Sequence, residues 1–263
     1  MHSLEPTRDH YAEYYRDALR ALSASPIPFL IGGSHGLARY LEVERETKDL
    51  DVFVCPDDIQ RTLGFFRDLG YRTELTFPHW LGKVYRGSTF IDLIFSSGNS
   101  IARVDADWFT YSRNDEVLGV PVKLCPPEEM IWSKAFVQER ERFDGADIMH
   151  LMYQFGEALD WRRLIDRFGP HWRVLLGFVV WFGFVYPGQR HRIPAWVMDD
   201  LTNRLLHDGS DESSRVCNGT LLSREQYLHD VCVKGYQDAR LIAPGRMTAV
   251  DLEIWTAAIS GKH

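Results

Sequence analysis

Three carboxylates stand where apolar side chains would be expected. Asp49 and Asp51 flank Leu50 in KDLDVFV, and Asp92 sits alone in FIDLIF. In an extended strand alternate side chains share a face. Asp49 and Asp51 therefore project together, while Leu50 and Val52 point toward a core. Two carboxylates held side by side repel and raise each other's pKa unless a cation lies between them. A hard divalent cation resolves that conflict, and Mg2+ accepts a few carboxylates together with the phosphates of a substrate. Asp92 poses the same problem, because an unpaired charge in so apolar a strand costs on the order of several kcal/mol. A shared metal ion, or a nearby arginine, would compensate it.

The surrounding pattern supplies the elements that must position these groups. Apolar spacing predicts a helix over Glu5–Leu22, ended by Pro26 and Pro28. Phe29–Ile31 reads as a strand that stops at Gly32-Gly33-Ser34, and a helix follows to about Leu41 with Ser34 as its expected N-cap. Leu50–Val54 is the next strand. A helix from Pro56 to Leu69 presents Ile59, Leu63, Phe66 and Leu69 on one face, with Gly70 as its stop. Tyr71–Phe77, Val84–Tyr85, Phe90–Phe95 and Val120–Leu124 are the remaining strands expected, and Pro127 opens a helix. Beyond Glu128 the chain reads as helices, including EEMIWSKAFVQERERF, DGADIMHLMYQF, WRRLIDRF and EQYLHDVCVKGYQDARL. The expected organisation is an α/β domain over 1–125 and a helical domain over 126–263.

The order strand, Gly-Gly-Ser, helix, Asp-apolar-Asp strand, then a lone acid in a later strand resembles the nucleotidyltransferase superfamily built on the DNA-polymerase-β-like palm. Gly33, Ser34, Asp49, Asp51 and Asp92 meet its pattern, with the interval from Ser34 to Asp49 at the long end. Arg45-Glu46-Thr47-Lys48-Asp49-Leu50-Asp51 is similar to the R-x-T-x-D-x-D form of small antibiotic-modifying and toxin–antitoxin members. Lys134-Ala135 followed by Arg140, Arg142, Asp144 and Asp147 is similar to the K-x-x-A…R…D-x-x-D helix of abortive-infection-type members, although here the alanine directly follows the lysine. The resemblance covers about Phe29–Leu151.

That resemblance implies an α+β fold: a mixed β-sheet flanked by helices, followed by an all-α C-terminal region. It implies Mg2+-dependent transfer of NMP from an NTP to an acceptor hydroxyl on a small molecule, a protein or an RNA end. In that reading Asp49 and Asp51 ligate two Mg2+ ions. Asp92 holds the ion that activates the acceptor and takes the acceptor's proton. Gly33 and Ser34 bind the β- and γ-phosphates, and Lys134, Arg45 and Lys48 offset the remaining charge. For those three cations the competing reading is a solvated surface side chain. For Asp144 and Asp147 it is pairing with Arg140 and Arg142 or capping. His79 and Trp80 in FPHWLGK could stack on a base or acceptor, against a surface His and a core Trp. The alternative function is a non-catalytic module that binds a nucleotide or a protein partner in a toxin–antitoxin-like system. Degenerate members usually lose one acid, and all three are present here.

Bulk properties are compatible with these readings. The 263 residues are 45% hydrophobic with eight tryptophans, enough to bury a core. A net charge of −7 disfavours nucleic-acid binding by bulk electrostatics. Four cysteines with no CxxC pair suggest thiols in a reducing cytosol. The N-terminal MHSLEPTRDHYAEYYRDAL is charged throughout, so a cleaved signal is not expected. VLLGFVVWFGFVYP, about 14 residues, falls short of the roughly 20 that span a bilayer and is expected to be a buried core helix, its Trp and Phe residues included. None of the ten histidines shows HxxxH or HxxEH spacing, which disfavours zinc.

Overall fold

Leu50, Val52, Ile91 and Leu93 are fully buried, and their alternation with half-exposed neighbours fixes which face of a central sheet meets the core. Burying each such side chain contributes about 1.5–3 kcal/mol. The computed structural model describes residues 8–43, 47, 49–209, 212–242 and 247–260. The chain divides into two compact units: Met1–Gly98 with Arg103–Pro126, and Asn99–Ala102 with Pro127–His263.

The first unit contains α1 (Arg8–Ser23), β1 (Leu30–Ile31), α2 (Gly33–Leu41), β2 (Leu50–Phe53), α3 (Ile59–Asp68), β3 (Arg72–Phe77), β4 (Leu81–Arg86), β5 (Thr89–Ile94), α4 (Ala106–Thr110), β6 (Arg113–Val117) and β7 (Val120–Leu124). The strands form one mixed sheet in the order β3-β4-β5-β2-β1-β7-β6. Pairs β2–β5 and β1–β7 are parallel and the others antiparallel. On the core side, α1 contributes Tyr14, Leu19 and Leu22 and α3 contributes Leu63 and Phe66, all buried. The Tyr14 hydroxyl donates to the Val84 carbonyl at 2.8 Å. Gly70, with φ +86, stops α3 as expected.

Three expectations are corrected in this unit. The N-cap of α2 is Gly32, and Ser34 lies inside the first turn. β4 is longer than Val84–Tyr85. The less regular stretch after Phe95 holds α4 and β6; β6 reads RNDEV, an edge strand too polar to show an apolar period.

The second unit comprises α5 (Pro127–Ala135), α6 (Gly145–Phe155), α7 (Trp161–Phe168), α8 (Trp172–Val185), α9 (Ala195–His207), β8 (Val216–Cys217), α10 (Leu228–Cys232), β9 (Gln237–Asp238) and α11 (Ala249–Ser260). Among the described residues its regular elements are helical except for the parallel β8–β9 pair, so the expected all-α region carries a small strand pair. The helix expected over EEMIWSKAFVQERERF ends at Ala135. Glu139 instead accepts hydrogen bonds from the Ser223 hydroxyl and the Arg224 amide, and Gln138 and Phe143 form an isolated bridge. The helix expected over EQYLHDVCVKGYQDARL is confined to Leu228–Cys232; Gly235, with φ +75, turns the chain away, and Asp238 then binds the Arg240 guanidinium.

The expectation that all aromatics of α8 are core is also corrected. Phe178 and Phe182 are buried, but Trp181 is 40% and Phe184 81% exposed. Beyond Arg173 the helix carries no charged or polar side chain, and it packs through one side only. By length and composition the continuous helical run Trp161–Val185 would suffice to cross a membrane. Its first turns, however, carry Arg163 and Arg167, both in ion pairs with Glu129.

Candidate active site

Asp51 and Asp92 are direct neighbours across the parallel β2–β5 pair, and Asp49 lies one residue before β2. Each contributes a carboxylate oxygen to a cluster whose atoms all lie within 4.8 Å of one another. All three are half-buried. Register explains the convergence: cross-strand partners share a face, and the parallel pairing sets the two aspartates side by side.

The start of α2 closes the cluster on one side. The Gly32 amide donates to the Asp51 carbonyl at 3.2 Å, which lays the β1–α2 turn alongside β2. Gly33 has φ +53, and a Cβ there would lie 1.6 Å from Oδ2 of Asp51. Only glycine fits this position. The unpaired N–H groups and positive pole of a helix start thus adjoin the carboxylates, an arrangement suited to phosphate.

Lys83 closes the other side. It lies directly opposite Asp92 on β4, and its Nζ donates to Asp92 Oδ1 at 2.6 Å. The partner that FIDLIF demanded is therefore a lysine on the adjacent strand. Sequence reasoning missed it, although a signal existed. Arg86 pairs with Thr89 around the two-residue turn Gly87-Ser88, and counting outward from such a hairpin turn pairs position 83 with 92.

Thr47 and two residues of α1 and α2 complete the surroundings. The Thr47 hydroxyl donates to Asp49 Oδ1 at 2.7 Å. Tyr15 is buried, and burial together with the negative charge of Asp49, Asp92 and Asp51 holds its phenol above the usual range. It stays a neutral hydroxyl. His35, edge-on to Tyr15 at 6.0 Å, is pushed down by burial, partly opposed by Asp49. Neither residue was singled out from sequence, where each reads as ordinary helix-face material.

The fold is similar to that of several solved nucleotidyltransferases. The antibiotic-resistance factor ANT(2'')-Ia aligns with 16% identity over 70% of this chain and 97% of its own, at a TM-score of 0.43. The lincosamide antibiotic adenylyltransferase LnuA aligns with 13% identity over 56% and 98%, at 0.39. An antigenic nucleotidyltransferase-like protein from Paracoccidioides brasiliensis aligns with 16% identity over 65% and 93%, also at 0.39. No protein-family model matches the chain, and no curated protein matches it in sequence.

Of the residues expected at the site, Asp49, Asp51, Asp92 and Gly33 come together, and Ser34 follows in the first turn of α2. Arg45 and Lys48 lie outside the described residues. Lys134 belongs to the helical unit, where its Nζ donates to Asp144 at 2.8 Å and Asp147 at 2.9 Å. Arg142 binds Asp144 as well. Burial pushes the Asp144 carboxyl up, but Arg142 and Lys134 outweigh it and hold the group below its usual value. His79 and Trp80 are half-buried. His79 bonds the Gly98 carbonyl at 3.1 Å, and Trp80 stacks on Phe77 at 5.8 Å. Trp80 is thus neither a core side chain nor an open stacking surface.

Proposed function

We propose that the chain is a Mg2+-dependent nucleotidyltransferase that moves NMP from an NTP to an acceptor hydroxyl on a small molecule, a protein or an RNA end, in the cytosol. The observation that carries this reading is the convergence of Asp49, Asp51 and Asp92 beside the obligate glycine that begins α2. The donor set is all carboxylate oxygen, as a hard divalent cation requires. Asp49 and Asp51 would hold two ions, and Asp92 would share one of them. When bound, Mg2+ supplies charge neutralisation and acidifies the acceptor hydroxyl.

The chain's own residues have separable tasks in this reaction, which is mostly positioning and electrostatics. The first amides of α2, at Gly33 and Ser34, hold the β- and γ-phosphates. Asp92 accepts the acceptor's proton as the acceptor oxygen bonds to the α-phosphorus. The bond to the β-phosphate oxygen breaks, and pyrophosphate leaves with that electron pair. Arg45, Lys48 and Lys134 offset residual triphosphate charge. Lys134 would do so only by exchanging its present carboxylate partners.

The Lys83–Asp92 ion pair favours a second reading, in which the third acid is already neutralised and the cleft binds a nucleotide or partner protein without turnover. One experiment separates the two. The protein is incubated with α-labelled ATP, CTP, GTP and UTP, Mg2+ and an acceptor panel, and pyrophosphate release is scored. Turnover abolished by Asp51→Asn supports the enzyme. Nucleotide binding without release across the panel supports the binding module.

A further inference from the structure

We infer that the helical unit carries a surface for single-stranded RNA, built where α6, α7 and the 3-10 turn Pro187–Arg192 meet, and that an RNA end is the acceptor class of the transfer proposed above. The acceptor assignment rests on the transferase reading; the surface does not.

Charge is segregated along the chain. Residues 161–197 hold six arginines and no lysine against one acid, Asp166, in a protein whose net charge is −7. A basic, arginine-only stretch in an acidic chain is suited to a polyanion. Arg163 and Arg167 are engaged by Glu128 and Glu129, and Arg173 by Asp208. Arg162, Arg190 and Arg192 have no carboxylate partner among the described residues; Arg190 donates to the Pro187 carbonyl and Arg192 to Gln189 Oε1.

These three arginines share one surface. The Trp161 indole donates to the Gly156 carbonyl at 2.7 Å, and a Cβ at Gly156 would lie 2.8 Å from the Arg192 carbonyl oxygen. The end of α6, the start of α7 and the turn Pro187–Arg192 therefore abut at a single glycine. Aromatic rings alternate with the guanidinium groups. Arg162 lies 5.1 Å from the Trp196 centroid, Arg192 lies 4.7 Å from that of Tyr153, and Tyr186 is 5.0 Å from Tyr153. Trp196 is 40% and Tyr153 38% exposed. Guanidinium groups follow a phosphate backbone, and exposed rings take unpaired bases whatever their sequence. A duplex hides its bases from such rings, and a lone phosphate leaves the rings unused.

The test is fluorescence anisotropy of the full chain with a short, labelled, mixed-sequence RNA, at about 50 and 200 mM salt. The wild type should bind, and more weakly at the higher salt. Arg162→Gln combined with Arg190→Gln, both exposed, should weaken binding by at least about tenfold and lower the slope of log K against log salt by about 1.4. The corresponding lysine pair should keep the slope. Tyr153→Ala or Trp196→Ala should weaken binding by at least about fivefold, and Trp196→Phe should retain it. Circular dichroism checks folding, and the exposed arginine pair carries the test should an aromatic variant misfold. Asp51→Asn should leave RNA affinity unchanged, and the wild type with Mg2+ and α-labelled NTPs should label the RNA. No binding at the lower salt, equal affinity for a duplex, tighter binding to phosphatidylserine vesicles, or an affinity indifferent to these substitutions would overturn the surface. RNA bound through these residues but never labelled, while a small-molecule acceptor is, overturns the acceptor assignment and leaves the transferase reading in place. RNA bound through them with no acceptor labelled from any NTP overturns the transferase reading, and the acceptor assignment with it, while the surface stands.

Discussion

Replacing Gly33 by alanine probes the candidate site at its tightest point. The backbone there has φ +53, which costs an alanine about 1 kcal/mol. The added methyl would lie 1.6 Å from Asp51 Oδ2, 2.5 Å from its Cγ and 2.9 Å from its Cβ, whereas ordinary contacts begin at 3.4 Å. All three nearest atoms belong to one side chain. Relief therefore means a retreat of the Asp51 carboxylate by nearly 2 Å, out of register with Asp49 and Asp92. A misplacement of about 1 Å at a reacting centre can cost on the order of 100-fold. Gly33→Ala is expected to lose at least that factor in kcat/KM and to abolish the stabilisation conferred by Mg2+ with a non-hydrolysable NTP. Its intrinsic stability should fall by about 1–3 kcal/mol. Gly64→Ala is the control: nothing lies within 4 Å of its added methyl, and a mid-helix alanine should stabilise by about 0.5–1 kcal/mol. Scanning fluorimetry and pyrophosphate release read both variants. A Gly33→Ala protein with wild-type turnover and an intact ligand-induced shift would refute the close approach of Gly33 to Asp51 as a working constraint.

Other substitutions test the account at independent points. Asp49→Asn removes one of three mutually repelling charges, and Asn can still accept from Thr47. The metal-free protein should melt at an equal or higher temperature while losing its Mg2+-dependent shift; a lower metal-free Tm would contradict the repulsion argument. Arg163→Met strips the fully buried Glu129 of one of its two arginines and breaks the 2.8 Å pair with Glu128. The loss should be about 3 kcal/mol in urea denaturation, and a change below about 0.5 kcal/mol would show the network to be dispensable. Burial lowers the pKa of His171, whose Nε2 has no partner and whose ring stands edge-on to Phe136. A group with a depressed folded-state pKa of this kind contributes stability above its unfolded pKa, near 6.5, and loses it as pH falls through the folded value. His171→Phe should therefore flatten the fall in Tm between about pH 6.5 and 5, and an unchanged slope would remove His171 from that role.

The sequence carried the α/β unit further than the helical unit, for physical reasons. Asp49, Asp51 and Asp92 were legible because carboxylates in apolar strands violate the burial rule, and such violations mark function. Gly33 was legible as a turn, but its contact with Asp51 depends on the β1–β2 pairing. Lys83 was hidden because its meaning lies in strand register, which the Gly87-Ser88 turn encodes only once the hairpin is recognised. β6 was missed because an edge strand of charged residues shows no apolar alternation. The helix over Glu128–Phe143 was overextended because QERER has good helix propensity, which the tertiary pull of Ser223 and Arg224 on Glu139 overrides. The exposed Trp181 and Phe184 defeated the reading of α8 for a related reason: apolarity around a whole helix does not say which side is covered.

The central claim is that Asp49, Asp51 and Asp92 form a divalent-cation site. Anomalous diffraction from a crystal soaked in Mn2+ with a non-hydrolysable NTP tests it most directly. Anomalous peaks are expected within bonding distance, about 2.0–2.3 Å, of carboxylate oxygens of Asp49 and Asp51, with Asp92 reaching one of the ions and the triphosphate lying against the first turn of α2. Clear nucleotide density with no anomalous peak at the three aspartates, or peaks bound only elsewhere, would contradict it.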